Sequence, residues 1–124
     1  MKWKMIVLLL LVSKSLFAKN EILFTCSDAK SEFINLNEGS KNGYKKENLE
    51  LVFTIDEKTE DIFVNGTKLH KLGLSSNIFQ FLEPVLSGHY VLYTFHKDSS
   101  ILTIQKSYKL FNDPVMVNIY LKCK

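Results

Sequence analysis

Arginine is absent from these 124 residues, and cysteine, proline and glycine are scarce at two, two and five. All 16 basic residues are therefore lysines, and the planar fork that grips phosphate or carboxylate in a bidentate manner has no donor here. The formal net charge of +3 misleads, because Lys2, Lys4 and Lys14 fall in the first 18 residues, which hold no acidic residue. Residues 19–124 set the other 13 lysines against 13 acidic residues. A neutral, arginine-free surface lacks the electrostatic footprint of a nucleic-acid binder and offers a membrane no polybasic patch. Long apolar runs are also missing. The longest, Met5 to Val12, is eight residues, against about 20 for a bilayer span. The chain has no glycine-rich phosphate loop and no nucleophile elbow.

What is present begins with the amino terminus. Met1-Lys2-Trp3-Lys4, the apolar run and then SKSLFA read as a secretory signal peptide, residues 1–18. Cleavage is expected after Ala18, with Ser15 as the alternative. Residues 19–124 then form a single domain, periplasmic or secreted through a Sec-type signal, with no membrane span after cleavage. A domain this small benefits from a covalent staple. Cys26 and Cys123 are the only cysteines, and an oxidising compartment leaves that pair one intramolecular bond.

Leu49 to Leu72 carries the strongest pattern. Leu49, Leu51, Phe53 and Ile55 alternate with Glu50, Val52, Thr54 and Asp56 at the period of a half-buried strand. A four-residue loop over Glu57–Glu60 would set Ile55 opposite Ile62 and Phe53 opposite Val64. Asn65-Gly66 is a type I′ hairpin signal that would set Ile62 opposite Leu69 and Val64 opposite Thr67. Both registers share one buried face. Elsewhere Ile22, Phe24 and Cys26 share a strand face, Ser27–Lys30 reads as a turn, and a second strand follows at Phe33–Leu36. Asn37–Asn48 reads as a loop, and so does Lys109–Pro114. Residues 76–86 fit a strand at Ile78–Leu82 better than a helix, because Pro84 would sit in the helix interior. Val91, Tyr93 and Phe95 mark one strand face, and Ser100–Tyr108 is the returning strand. Val115, Val117, Ile119, Leu121 and Cys123 mark the face of the last strand. The fold class is all-β: a small antiparallel meander of about eight strands, closed barrel or tight sandwich, tied by one disulfide between Cys26 and Cys123.

Chemistry-bearing clusters are few. Asp56, Glu57, Glu60 and Asp61 share a polar turn without the alternating oxygens or central glycine of a calcium loop. His89 and His96 project from opposite faces of one strand, which does not suit zinc, and no metal or cofactor is expected. Both cysteines are consumed, so no nucleophile, and no catalytic role, is expected. Asn65-Gly66-Thr67 matches a glycosylation acceptor, but the hairpin tip explains the same residues. Tyr44, on the lysine-bearing loop, and Ser87, Gly88 and Tyr90, in the stretch EPVLSGHY, are the candidate partner-binding residues.

Phe24-Thr25-Cys26 near the start, Ser87-Gly88 ahead of Tyr90 and an aromatic strand, and Cys123 near the end resemble the small periplasmic inhibitors of c-type lysozyme. The resemblance implies a compact β-barrel closed by disulfide bonding, with a serine-glycine loop that enters the lysozyme cleft. The family spaces Ser-Gly and Tyr by two residues; here the spacing is one. Its second loop is matched by Tyr93 and Lys97, with Asp98 where the family has glycine. The chain also looks like small exported bacterial proteins of unassigned role that carry an F-T-I-D strand and a terminal Lys-Cys-Lys. Three functions follow as expectations. The first is an extracytoplasmic protein-binding module, such as a hydrolase inhibitor or toxin immunity protein. The second is a β-barrel carrier of a small molecule, and the third a structural exported protein. Abundant inward phenylalanine (Phe24, Phe53, Phe95) favours a filled interior over a carrier's cavity.

Overall fold

The computed structural model describes residues 20–41, 43, 45–85 and 89–124, the side chains of 40, 41 and 74 excepted. Eleven strands and no helix occur among them: β1 (Asn20–Asn35), β2 (Ser40–Lys41), β3 (Lys45–Glu47), β4 (Leu51–Asp56), β5 (Ile62–Val64), β6 (Thr67–Lys68), β7 (His70–Leu74), β8 (Ile78–Pro84), β9 (Tyr90–His96), β10 (Ile101–Leu110) and β11 (Asp113–Cys123). All pairings are antiparallel, in the order β6-β5-β4-β1-β11-β10-β9-β8-β7, and the sheet is nearly closed into a barrel. The two ends of that path, β6 and β7, are separated in sequence only by Leu69. One segment therefore leaves β5 and joins β8, and Leu69 sits buried at the seam with its N–H on the Ile62 carbonyl, 2.8 Å away. The barrel closes covalently where it lacks a ladder.

The central hairpins have the expected registers: Phe53 opposite Val64, Ile55 opposite Ile62, and Val64 opposite Thr67. Asn65 and Gly66 both take positive φ, 46° and 86°, as a type I′ turn requires. The Asn65 side chain adds two bonds, one to β4 and one to the residue before it: its Oδ1 accepts the Val52 N–H (2.7 Å) and its Nδ2 donates to the Glu50 carbonyl (3.2 Å). Cys26 and Cys123 lie directly opposite one another on β1 and β11 and are bonded. Strand parity had placed both inward.

Several local expectations are corrected. The turn at Ser27–Lys30 is a bulge within one 16-residue strand. Asp28 takes φ 58°, which absorbs the extra residue and bends β1 without reversing it. Asn37–Asn48 is not loop throughout, because β2 and β3 pair with β1 as short edge strands. The loop at Lys109–Pro114 is a two-residue turn, Phe111-Asn112, flanked by paired strand. Ile22 does not share the face of Phe24 and Cys26. A second bulge between Ile22 and Phe24 leaves Ile22 67% exposed.

Inside the barrel the aromatic rings stack. Phe24 lies against Phe53 (centroids 4.6 Å) and Phe95 (4.1 Å), and Tyr93 meets Phe53 edge-on at 5.8 Å. Phe53, Phe81 and Tyr93 are buried and plug the middle of the barrel. No described helix is long and apolar enough to cross a membrane.

Candidate functional site

Above that plug, one end of the barrel stays open. A cavity of about 630 Å³ is lined by residues that include Leu23, Phe24, Ile62, Phe79, Phe81 and Phe95. Phe24, Ile62, Phe81 and Phe95 are buried and form its floor; Leu23, Glu60, Lys71, Lys97, Ser100 and Lys124 are exposed and form its rim. The volume falls within the range of small-ligand sites, roughly 300–1,000 Å³, and the lining is apolar with a few polar groups, as such sites are.

Local sequence builds each wall. The bulge between Ile22 and Phe24 puts one more residue on β1 than on β4, so Leu23 has no register partner and joins the cavity wall. Phe79 stands opposite Phe95 across β8 and β9, with ring centroids 6.2 Å apart. The turn after β9 is tied to the turn before β8 by Lys97 N–H on the Asn77 carbonyl (2.8 Å). It carries the Lys97 ammonium to 5.6 Å from the Phe79 ring centroid. Lys71 stands directly opposite Phe81. Opposed residues of an antiparallel pair point to one face, so Lys71 belongs to the inner face, two residues after buried Leu69.

The acidic turn borders this rim, and local bonds occupy the Asp56 and Asp61 carboxylates. Asp56 Oδ1 accepts the N–H groups of Lys58 (2.8 Å) and Thr59 (3.1 Å). Lys68 lies 3.4 Å from Asp61. The Asp61 carboxyl is held below its usual range, chiefly by its hydrogen bond with Thr59 and then by the Lys68 charge. Glu21 is pushed upward by sharing a hydrogen bond and repulsion with Glu57. Deeper in the barrel, Tyr93 donates its hydroxyl to Glu83 at 2.6 Å. Burial first, and then that carboxylate, raises the phenol well above its ordinary value. The described residues contain no group of three or more His, Cys, Asp or Glu able to hold a metal.

Of the partner-binding residues expected from sequence, Tyr44, Ser87 and Gly88 lie outside the described residues. Tyr90 starts β9 opposite Pro84 and is 58% exposed. It belongs to the end of the barrel away from the cavity, where the β10–β11 hairpin presents Leu110 and Phe111, the latter 93% exposed. Sequence reasoning missed the cavity residues. Their common signal is a phenylalanine-rich set of strand ends, which reads equally well as filled core. Comparison of the chain with family models, curated proteins and solved structures finds no match.

Proposed function

We propose that this chain is an extracytoplasmic binding domain that holds a small apolar or amphiphilic molecule in the mouth of its barrel. The carrier reading moves ahead of the protein-partner reading because of one observation: an apolar cavity of about 630 Å³ above a floor of buried phenylalanine. Inward phenylalanine had argued for a filled interior. Phe53, Phe81 and Tyr93 do fill the middle, but the rings above them line an open cup. Export through the signal at residues 1–18 is part of the reading, and a disulfide is compatible with that compartment. Transfer of the apolar surface of a ligand onto Phe24, Phe79 and Phe95 supplies the driving force, about 25 cal/mol per Å² removed from water. Titration with the neutral fluorophore N-phenylnaphthylamine tests this. Saturable, one-to-one enhancement is expected, and linear, unsaturable enhancement would refute the cup as a site.

A second reading keeps a protein partner, favoured by the exposed apolar residues Tyr90, Leu110, Phe111 and Leu36 at the opposite end. In that reading Ser87, Gly88 and Tyr44 contribute loop contacts, and lysozyme is the first partner to try. Inhibition of lysozyme turnover, weakened by Tyr90→Ala, is the expected outcome. Unchanged turnover at micromolar excess removes that target.

A further inference from the structure

The rim of the cup is not neutral in kind. Two lysines reach the mostly apolar lining from the two neighbours of β8. Lys71 occupies an inner-face position opposite Phe81, where strand alternation calls for an apolar side chain. Lys97 comes from the β9–β10 turn and places its ammonium 5.6 Å from the centroid of Phe79, itself a lining residue. Lys124 also lines the rim, and Glu60 is the acidic side chain in the lining. The Asp61 carboxylate nearby is engaged by Lys68 at 3.4 Å and feels the Lys71 charge more weakly. Lys71 and Lys97 thus outnumber Glu60, and the two flank β8, one on β7 and the other on the turn that follows β9.

This arrangement has a chemical consequence. An apolar floor selects an alkyl or aromatic body, and lysine stems extend that apolar wall while their ammonium groups stay in water. A ligand whose polar end is anionic puts its charge where the ammonium groups stand. A ligand with a cationic end meets like charge at the same place.

Resting on the reading of the cup as a ligand site, we propose that its ligand is an anionic amphiphile. An apolar chain or ring lies on Phe24, Phe79 and Phe95, and a carboxylate or equivalent anion lies at the rim between Lys71 and Lys97. The lysines act as point charges and not as forks, so the site recognises the sign of the head group more than its shape.

The test is competition against N-phenylnaphthylamine, using the purified exported protein and three ligands with one chain length: decanoate, decanol and decyltrimethylammonium, each below its micellar concentration. Decanoate is expected to displace the probe at a concentration about tenfold lower than decanol, with the cation weakest. Raising the salt should shrink the gap between decanoate and decanol on the unmodified protein, since exposed charges are screened. In the Lys71→Gln, Lys97→Gln double variant the ratio of decanoate to decanol affinity should fall toward one. Equal displacement by decanoate and decanol, preference for the cation, or an unchanged ratio in the double variant would overturn the head-group assignment and leave the cup standing. A probe that never binds saturably would overturn both.

Discussion

Tyr93 carries a polar group into the barrel interior. Its ring packs edge-on against Phe53 while its hydroxyl donates to Glu83 at 2.6 Å. The raised phenol is protonated in the fold under conditions where an unfolded tyrosine ionises. The stabilisation is therefore fully present below the ordinary phenol value, about 10, and is lost as pH rises above it. Subtracting the alkaline absorbance of Tyr93→Phe from that of the unmodified protein should show no Tyr93 phenolate at about pH 11 while the protein is folded. A normal phenolate signal there would mean the hydroxyl is neither buried nor bonded to Glu83. Gly66 is a second residue-scale test. A Cβ at Gly66 meets nothing within 4 Å, so the cost of Gly66→Val is set chiefly by φ 86°. The expected loss is about 1 kcal/mol, read as a lower denaturation midpoint. An unchanged midpoint would displace the turn from Asn65-Gly66.

Among the elements, the β10–β11 hairpin shows what sequence patterns left hidden. Asn65-Gly66 announces its turn by residue type, and both residues take the left-handed conformation expected of them. Phe111-Asn112 makes an equivalent turn, φ 50° and 69°, with a residue that ordinarily avoids that region. Lys109–Pro114 therefore looked like loop. Phe111 is also 93% exposed, so its conformation is not compensated by packing. Phe111→Asn should raise stability by about 1 kcal/mol, because Asn tolerates left-handed backbone far better. A fall in stability would mean the ring packs on something. A backbone cost retained at an exposed aromatic is also what a contact residue of the protein-partner reading would show. The long first strand was misread for a related reason. Ser27-Asp28 has turn composition, but a single positive φ at Asp28 makes a bulge when β11 holds both flanks in register.

At the level of the whole molecule, the alternation of apolar residues was enough to read the all-β class and the central registers. The pairing of Cys26 with Cys123 followed from their being the only two cysteines of a chain read as exported, in agreement with strand parity. Thiol labelling of denatured, unreduced protein should find no free thiol. Replacing both cysteines by Ala should cost at most about 4–5 kcal/mol in the chain-entropy model. Two labelled thiols per chain would remove the staple. A closed barrel was one of the two architectures expected, but the place of its seam was not legible, because Leu69 looks like any inward residue until the strands on either side of it pair with different neighbours. The cup was hidden for the same reason. Leu23 reaches its wall through a bulge, and Lys71 and Lys97 meet its lining only after β7, β8 and β9 pair. The loop candidates rested on composition, a signal that marks exposure and does not place residues together. The central claim is that the open, phenylalanine-floored end binds the ligand. Its most direct test is transfer of nuclear Overhauser effects between bound decanoate and assigned side chains of the protein. Contacts from the decanoate chain to the rings of Phe24, Phe79 and Phe95 are the expected result; contacts confined to Leu36, Leu110 and Phe111 at the other end would contradict it.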